Sequence, residues 1–143
     1  MTKPKTKVIL AGGCFDILHY GHVYFLKKAK SLGDYLVVAI ESDERIKELK
    51  GQGRPFHSQK QRKETLESLK FVDKVIILKD EMTHQDYIDL VNKVNPCIIA
   101  VTEGDPILDK KREQAEMVGA KIVQIPHIRT HSTTQISKFL NLD

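Results

Sequence analysis

Five short apolar runs, at residues 8–11, 35–40, 74–78, 97–101 and 122–125, alternate along this chain with longer polar stretches of helical spacing. Strands separated in this way by helices pair in parallel, because each connection must cross a face of the sheet to return. The pattern therefore predicts an α/β fold, a Rossmann-like parallel five-stranded sheet with helices on both faces. Punctuation between the runs agrees. Gly33 closes the first helix, Ser58 and Gln61 form a capping box for a helix through Leu69, and Thr83 with Asp86 opens another that Asn95-Pro96 stops. Gly119 ends the helix containing Ala115 and Val118, and Ser132 with Gln135 caps a last one through Leu140.

A length of 143 residues fits one domain, residues 1–143, that buries roughly two-thirds of its unfolded surface without needing a disulfide or structural metal. Cys14 and Cys97 stand far apart with no metal-ligand spacing, as expected of a reduced, cytoplasmic protein. The apolar run after the basic residues Lys3 and Lys5 is too short for a secretion signal, and no run approaches membrane-spanning length, so no membrane partner is expected. The formal net charge of +4 suits anionic ligands. Its basic residues gather in one stretch, Lys47, Lys50, Arg54, Lys60, Arg62 and Lys63, which also reads as a solvated helical face. With no Trp and no recognition motif, the chain is not expected to bind nucleic acid.

The run 12–22, Gly-Gly-Cys-Phe-Asp-Ile-Leu-His-Tyr-Gly-His, concentrates the chemistry. It follows the first apolar strand and precedes Val23, Leu26, Ala29 and Leu32 at helical spacing, so it is a glycine turn into a helix N-terminus. Backbone N–H groups and the positive end of the helix dipole converge at such a turn, and His19 and His22 are placed to face an anion there. Gly21 allows close backbone approach. Taken alone, two histidines three apart are also read as a solvated or core-satisfied pair. In open α/β sheets the ligand sits outside the carboxyl ends of the strands, where this run and the loop 51–56, a candidate lid, both fall.

The run resembles the HxGH signature of the nucleotidylyltransferase superfamily, here His19-Tyr20-Gly21-His22 within Gly13-x-Phe15-Asp16. Further segments match in the superfamily's order. These are Lys50-Gly51-x-Gly53-Arg54-Pro55 with Gln61-Arg62, then Thr102-Glu103-Gly104-Asp105, then Ser132-Thr133-Thr134-Gln135-Ile136, so the likeness runs from about residue 8 to 140. It is strongest toward adenylyltransferase domains acting on heptose 1-phosphate and toward archaeal FAD synthases. Two positions depart. Thr102 stands where the heptose-phosphate enzymes carry lysine, and His127 follows Pro126 where glycerol-phosphate cytidylyltransferases carry arginine, with Arg129 two positions later.

The resemblance implies transfer of AMP from ATP, with Mg²⁺, to a phosphorylated small molecule, a sugar 1-phosphate being favoured, with release of pyrophosphate. Alternatives are FMN adenylylation, glycerol-3-phosphate-type cytidylyl transfer, or a sensor that binds nucleotide without turnover. It further implies that His19, His22, Lys50 and Arg62 contact the phosphates, and that Gly13, Cys14, Phe15, Asp16, Gly104, Asp105, Ser132, Thr133 and Thr134 border the nucleotide. Lysine on a flexible stem suits a loop over an anion, and the arginine fork suits two phosphate oxygens. Three readings compete with these. Asp16 equally orients the turn by accepting backbone N–H bonds, Arg62 on the competing reading forms a surface salt bridge, and Ser132 on the competing reading caps its helix. Relatives of this kind are often homodimers.

Overall fold

The computed structural model describes residues 6–128 together with Gln135, Lys138 and Leu140. Ile9, Leu10 and Ala11 are all buried, as a continuous apolar run requires when helices cover both faces of a strand. That strand, β1 (Val8–Gly13), leads into α1 (Tyr20–Ser31), β2 (Tyr35–Ile40), α2 (Asp43–Lys50), α3 (Gln59–Glu67) and β3 (Lys74–Ile77). The chain continues through α4 (His84–Val94), β4 (Ile98–Thr102), α5 (Leu108–Val118) and β5 (Lys121–Ile125). Among the described residues all the strands pair in parallel, in the order β3-β2-β1-β4-β5. The Rossmann-like parallel sheet expected from the sequence is the fold.

Each face of the sheet has its own core. On one, Leu26 and Ala29 of α1 and Leu66 of α3 pack with Ile9, Ala11, Leu36, Val38 and Ile40. On the other, Val91 of α4 and Ala115 of α5 pack with Leu10, Val37, Ala39, Ile99 and Val101. Leu26 and Leu66 are almost wholly buried, and burial of each side chain stabilises the fold by about 2 kcal/mol. No helix among the described residues is long and apolar enough to cross a membrane.

The capping signals at Ser58/Gln61 and Thr83/Asp86 form reciprocal capping boxes. Asn95 and Gly119 take left-handed conformations that end α4 and α5. Other details differ. α3 stops at Glu67, short of Leu69. α2, opened by the Ser42 hydroxyl accepting from Arg45 N–H, carries no apolar periodicity because Ile46 is its single buried residue. α1 ends at Ser31 with Leu32 as its C-cap, and Gly33 beyond it serves close approach rather than a left-handed turn, since a Cβ there would lie 2.7 Å from the Lys7 carbonyl oxygen. Asp73 ties the turn into β3, its Oδ2 accepting from Leu36 N–H and Lys30 Nζ. The expected last helix from Ser132 lies outside the described residues.

Candidate active site

Strand order reverses at β1, whose neighbours β2 and β4 are reached by connections running in opposite directions. A crevice opens at the carboxyl end of such a strand. Here it is a cleft of about 660 Å³ whose walls include Gly12, Gly13, His19, His22, Thr102 and His127.

The two histidines are fixed by each other's backbone. His19 is the N-cap of α1, with Nδ1 accepting from Gly21 N–H at 3.1 Å, and His22 Nδ1 accepts from His19 N–H at 3.3 Å. This is a capping box built from imidazoles, with the rings stacked at 3.8 Å between centroids. Helix-end amides that the sequence offered to an anion are thus partly consumed within the turn. The imidazoles take their place. A neutral ring that accepts at Nδ1 must carry its proton on Nε2, so both rings enter the cleft wall as Nε2–H donors. Burial, then His19 and Lys50, lower the His22 pKa to about 4, while burial and then His127 lower that of His19. His22 is therefore neutral at pH 7.

Phe15 sets the shape of the turn. Its backbone is left-handed, with φ of 49°, which is uncommon for a bulky residue and marks a tightly determined site. The ring meets His22 edge-on at 5.1 Å. It also covers Gly13, where a Cβ would approach Phe15 Cε2 to 2.9 Å. Cys14 lies in the same wall, and burial raises its thiol pKa, which keeps it protonated.

Asp16 turns away from the cleft contents and toward its own scaffold. Its carboxylate accepts from Phe56 N–H, His57 N–H and Arg54 Nε, with Asp16 and Arg54 both buried. Arg62 is similarly engaged. Its Nε donates to the His57 carbonyl, NH1 to the carbonyls of Cys14 and Glu41, and NH2 to Asp43 Oδ1 at 2.9 Å. At 1% exposure, this guanidinium ties the loops after β1 and β2 to α3. It meets backbone where the resemblance placed phosphate oxygens. Lys50, by contrast, is exposed, and its charge acts on both Cys14 and His22.

After β4, Thr102 lines the cleft, whereas Gly104 and Asp105 are not among its lining residues. Asp105 accepts from Ile107 N–H and pairs with Lys111. His127 is in the wall and near enough to His19 to affect its charge. Ser132, Thr133, Thr134 and Arg129 lie outside the described residues, and Gln135 beside them lines the cleft. Tyr24 and Phe25 also line it without having been singled out in the sequence, since aromatic residues on a helix read first as core. Among the described residues, no three His, Cys, Asp or Glu side chains gather to hold a metal.

A parallel sheet of this order, with paired imidazoles at its switch point, defines a nucleotidyltransferase-type domain. The chain belongs to the cytidylyltransferase-like family, whose model matches residues 10–139. It is 37% identical over 143 residues to the FAD synthase of Thermococcus sibiricus, covering 98% of this chain and 94% of that protein. It is 40% identical over 140 residues to the bifunctional protein HldE of Campylobacter concisus, covering 95% of this chain but 27% of that longer protein. In structure it resembles a lipopolysaccharide core biosynthesis protein from Thermoplasma volcanium, with a TM-score of 0.68 and 26% identity over 88% of this chain and 99% of that one.

Proposed function

We propose that this protein transfers AMP from ATP to a phosphorylated small molecule and releases pyrophosphate. The observation that carries the reading is the imidazole pair held as Nε2–H donors at the start of α1, in the wall of the switch-point cleft. An oxygen of the acceptor's phosphate forms a bond to the α-phosphorus. The bond from that phosphorus to the bridging oxygen breaks, and pyrophosphate leaves with the electron pair. The acceptor oxygen is already ionised, so no base is needed, and the protein's work is positioning and stabilising charge. His19 and His22 donate to the phosphates, and Lys50 adds a mobile cation over them. Ser132, Thr133 and Thr134 are proposed to complete the cradle.

A magnesium ion fits this site only as a passenger on the nucleotide. Asp16 has both carboxylate oxygens engaged with Arg54 and the 56–57 backbone, and magnesium commonly binds through substrate phosphates with few protein ligands. It would neutralise phosphate charge when bound. The proposed setting is the cytoplasm, consistent with two free cysteines.

The motif resemblance favours two acceptors, heptose 1-phosphate and FMN, with adenine as the base, and a relative named FAD synthase supports the reading. The deciding experiment incubates the protein with ATP or CTP, Mg²⁺ and each of heptose 1-phosphate, FMN and glycerol 3-phosphate, and measures pyrophosphate. Release with ATP and one acceptor is the expected outcome. Saturable ATP binding with no release from any acceptor overturns transfer and leaves a nucleotide sensor.

A further inference from the structure

On the face of the sheet covered by α4 and α5, a second space opens at the same end of the strands. A cavity of about 450 Å³ and a narrower crevice of about 150 Å³ share Glu41, Tyr87, Ile107, Lys111 and Gln114 in their walls. The crevice also shares Gly12 and Gly13 with the imidazole cleft, so those glycines form the ridge between the two spaces. A molecule lying across that ridge would place its phosphate beside the histidines and its other end in the second cavity.

Glu41 governs that cavity. It directly follows β2, and its backbone is held on both sides, with N–H donating to the Gly13 carbonyl and C=O accepting from Arg62 NH1. Its Oε2 is buried and has no hydrogen-bond partner among the described residues. The cations whose charges reach Glu41 are bonded elsewhere, Arg45 to Glu48, Lys111 to Asp105, and Arg62 to Asp43. Burial raises the Glu41 pKa while these three cations pull it back. A buried acceptor without a partner is expensive. It is satisfied most directly by an O–H donor from a ligand, and the Tyr87 hydroxyl and Gln114 amide beside it suit further hydroxyls.

We infer that Glu41 selects the acceptor by taking hydrogen bonds from hydroxyl groups near its phosphate, so that the cavity receives a phosphorylated polyol. This rests on the transfer reaction proposed above. Sugar 1-phosphates and FMN, through its ribityl chain, share that chemistry. Phosphocholine does not, because its quaternary ammonium carries no O–H or N–H to donate to Glu41.

The test titrates mannose 1-phosphate, 2-deoxyglucose 1-phosphate, FMN and phosphocholine into protein loaded with a non-hydrolysable ATP analogue, following binding by ligand-observed NMR. At least one of mannose 1-phosphate and FMN is expected to bind the unsubstituted chain, with the preferred one showing the source, and phosphocholine about tenfold or more weaker. Glu41→Ala should weaken the preferred polyol phosphate about tenfold and leave the ATP analogue's affinity unchanged, with Glu41→Gln between the two. If the sugar phosphate is preferred, its 2-deoxy analogue should lose affinity on the unsubstituted chain, a measurement that needs no variant to fold. Equal binding by Glu41→Ala, a preference for phosphocholine, or no binding of either polyol phosphate overturns the inference. Pyrophosphate release that ignores Glu41 overturns the inference and leaves transfer standing. Glu41-dependent binding without release overturns transfer and leaves the pocket.

Discussion

The β1–α1 turn and the 54–62 segment both carry basic side chains to the end of the sheet, and they use them in opposite ways. In the turn, His19 and His22 spend one ring nitrogen each on the backbone and keep the other for the cleft. In the segment, Arg54 and Arg62 are buried, and the partners they hold are protein groups, from the Asp16 carboxylate to three backbone carbonyls. A basic side chain near such a cleft therefore has two duties open to it, building the walls or meeting the ligand. The number of protein partners it already holds separates them.

The largest expected effect follows from the wall-building side. Arg62→Ala leaves the Cys14, Glu41 and His57 carbonyls and Asp43 without their shared donor, at a cost of about 3–5 kcal/mol. Urea denaturation reads it. A variant as stable as the unsubstituted chain but with weakened nucleotide binding would reverse the assignment and return Arg62 to the ligand. Arg62→Lys should recover little of the loss, because an ammonium lacks the fork that reaches separate partners.

The ligand-facing side gives the next effect. His22→Asn keeps an oxygen able to accept from His19 N–H but removes the Nε2 donor, so the helix cap survives and the proposed transition-state contact does not. Turnover should fall about a hundred- to a thousandfold, the range for loss of one positioned donor. Thermal melting should barely move. A large drop in melting temperature with turnover per folded molecule intact would place His22 with the arginines as a structural residue.

The contrast explains why the fold was more legible than the site. Alternating apolar runs, capping boxes at Ser58 and Thr83, and the Asn95 and Gly119 terminations each depend on a few neighbouring residues. α2 was hidden because it buries Ile46 alone. At the site, His19 and His22 were visible because one helix turn brings them together. The partners of Arg62 were not, since Cys14 and Glu41 stand 48 and 21 residues away along the chain. Asp16 has two readings in the sequence, and neither names the backbone it bonds, which belongs to Phe56 and His57, 40 and 41 residues along the chain. Gly104 and Asp105 were placed by resemblance, but the loop after β4 turns Asp105 toward Lys111.

Acid should expose the same difference by a smaller amount. His22 has a folded pKa of about 4, below its unfolded value near 6.5, so between these values the unfolded chain holds more protons. Stability is thus complete above about pH 6.5 and falls as pH drops toward 4, by at most about 1.4 kcal/mol per pH unit from this one group. Protonation also removes the Nδ1 acceptor that caps α1. His22→Asn should flatten this part of the stability profile, and bound nucleotide should oppose the loss by favouring the charged ring. An unchanged profile in the variant would assign the acid sensitivity to other groups.

Lys50 tests the boundary between the two duties with the smallest effect. It sits in the last turn of α2, where a cation also favours the helix dipole, and it is exposed while its charge still reaches His22 and Cys14. If it serves the ligand, Lys50→Ala should weaken ATP binding about five- to tenfold, a loss of about 1 kcal/mol, as befits a solvated cation acting on an anion. If it serves α2 alone, affinity should hold and stability should fall by a few tenths of a kcal/mol. Salt separates these outcomes further. A ligand-facing Lys50 makes ATP affinity fall as ionic strength rises, and removing it should make that dependence shallower. The buried arginine braces should show no such change, because bonds they make inside the protein are screened far less.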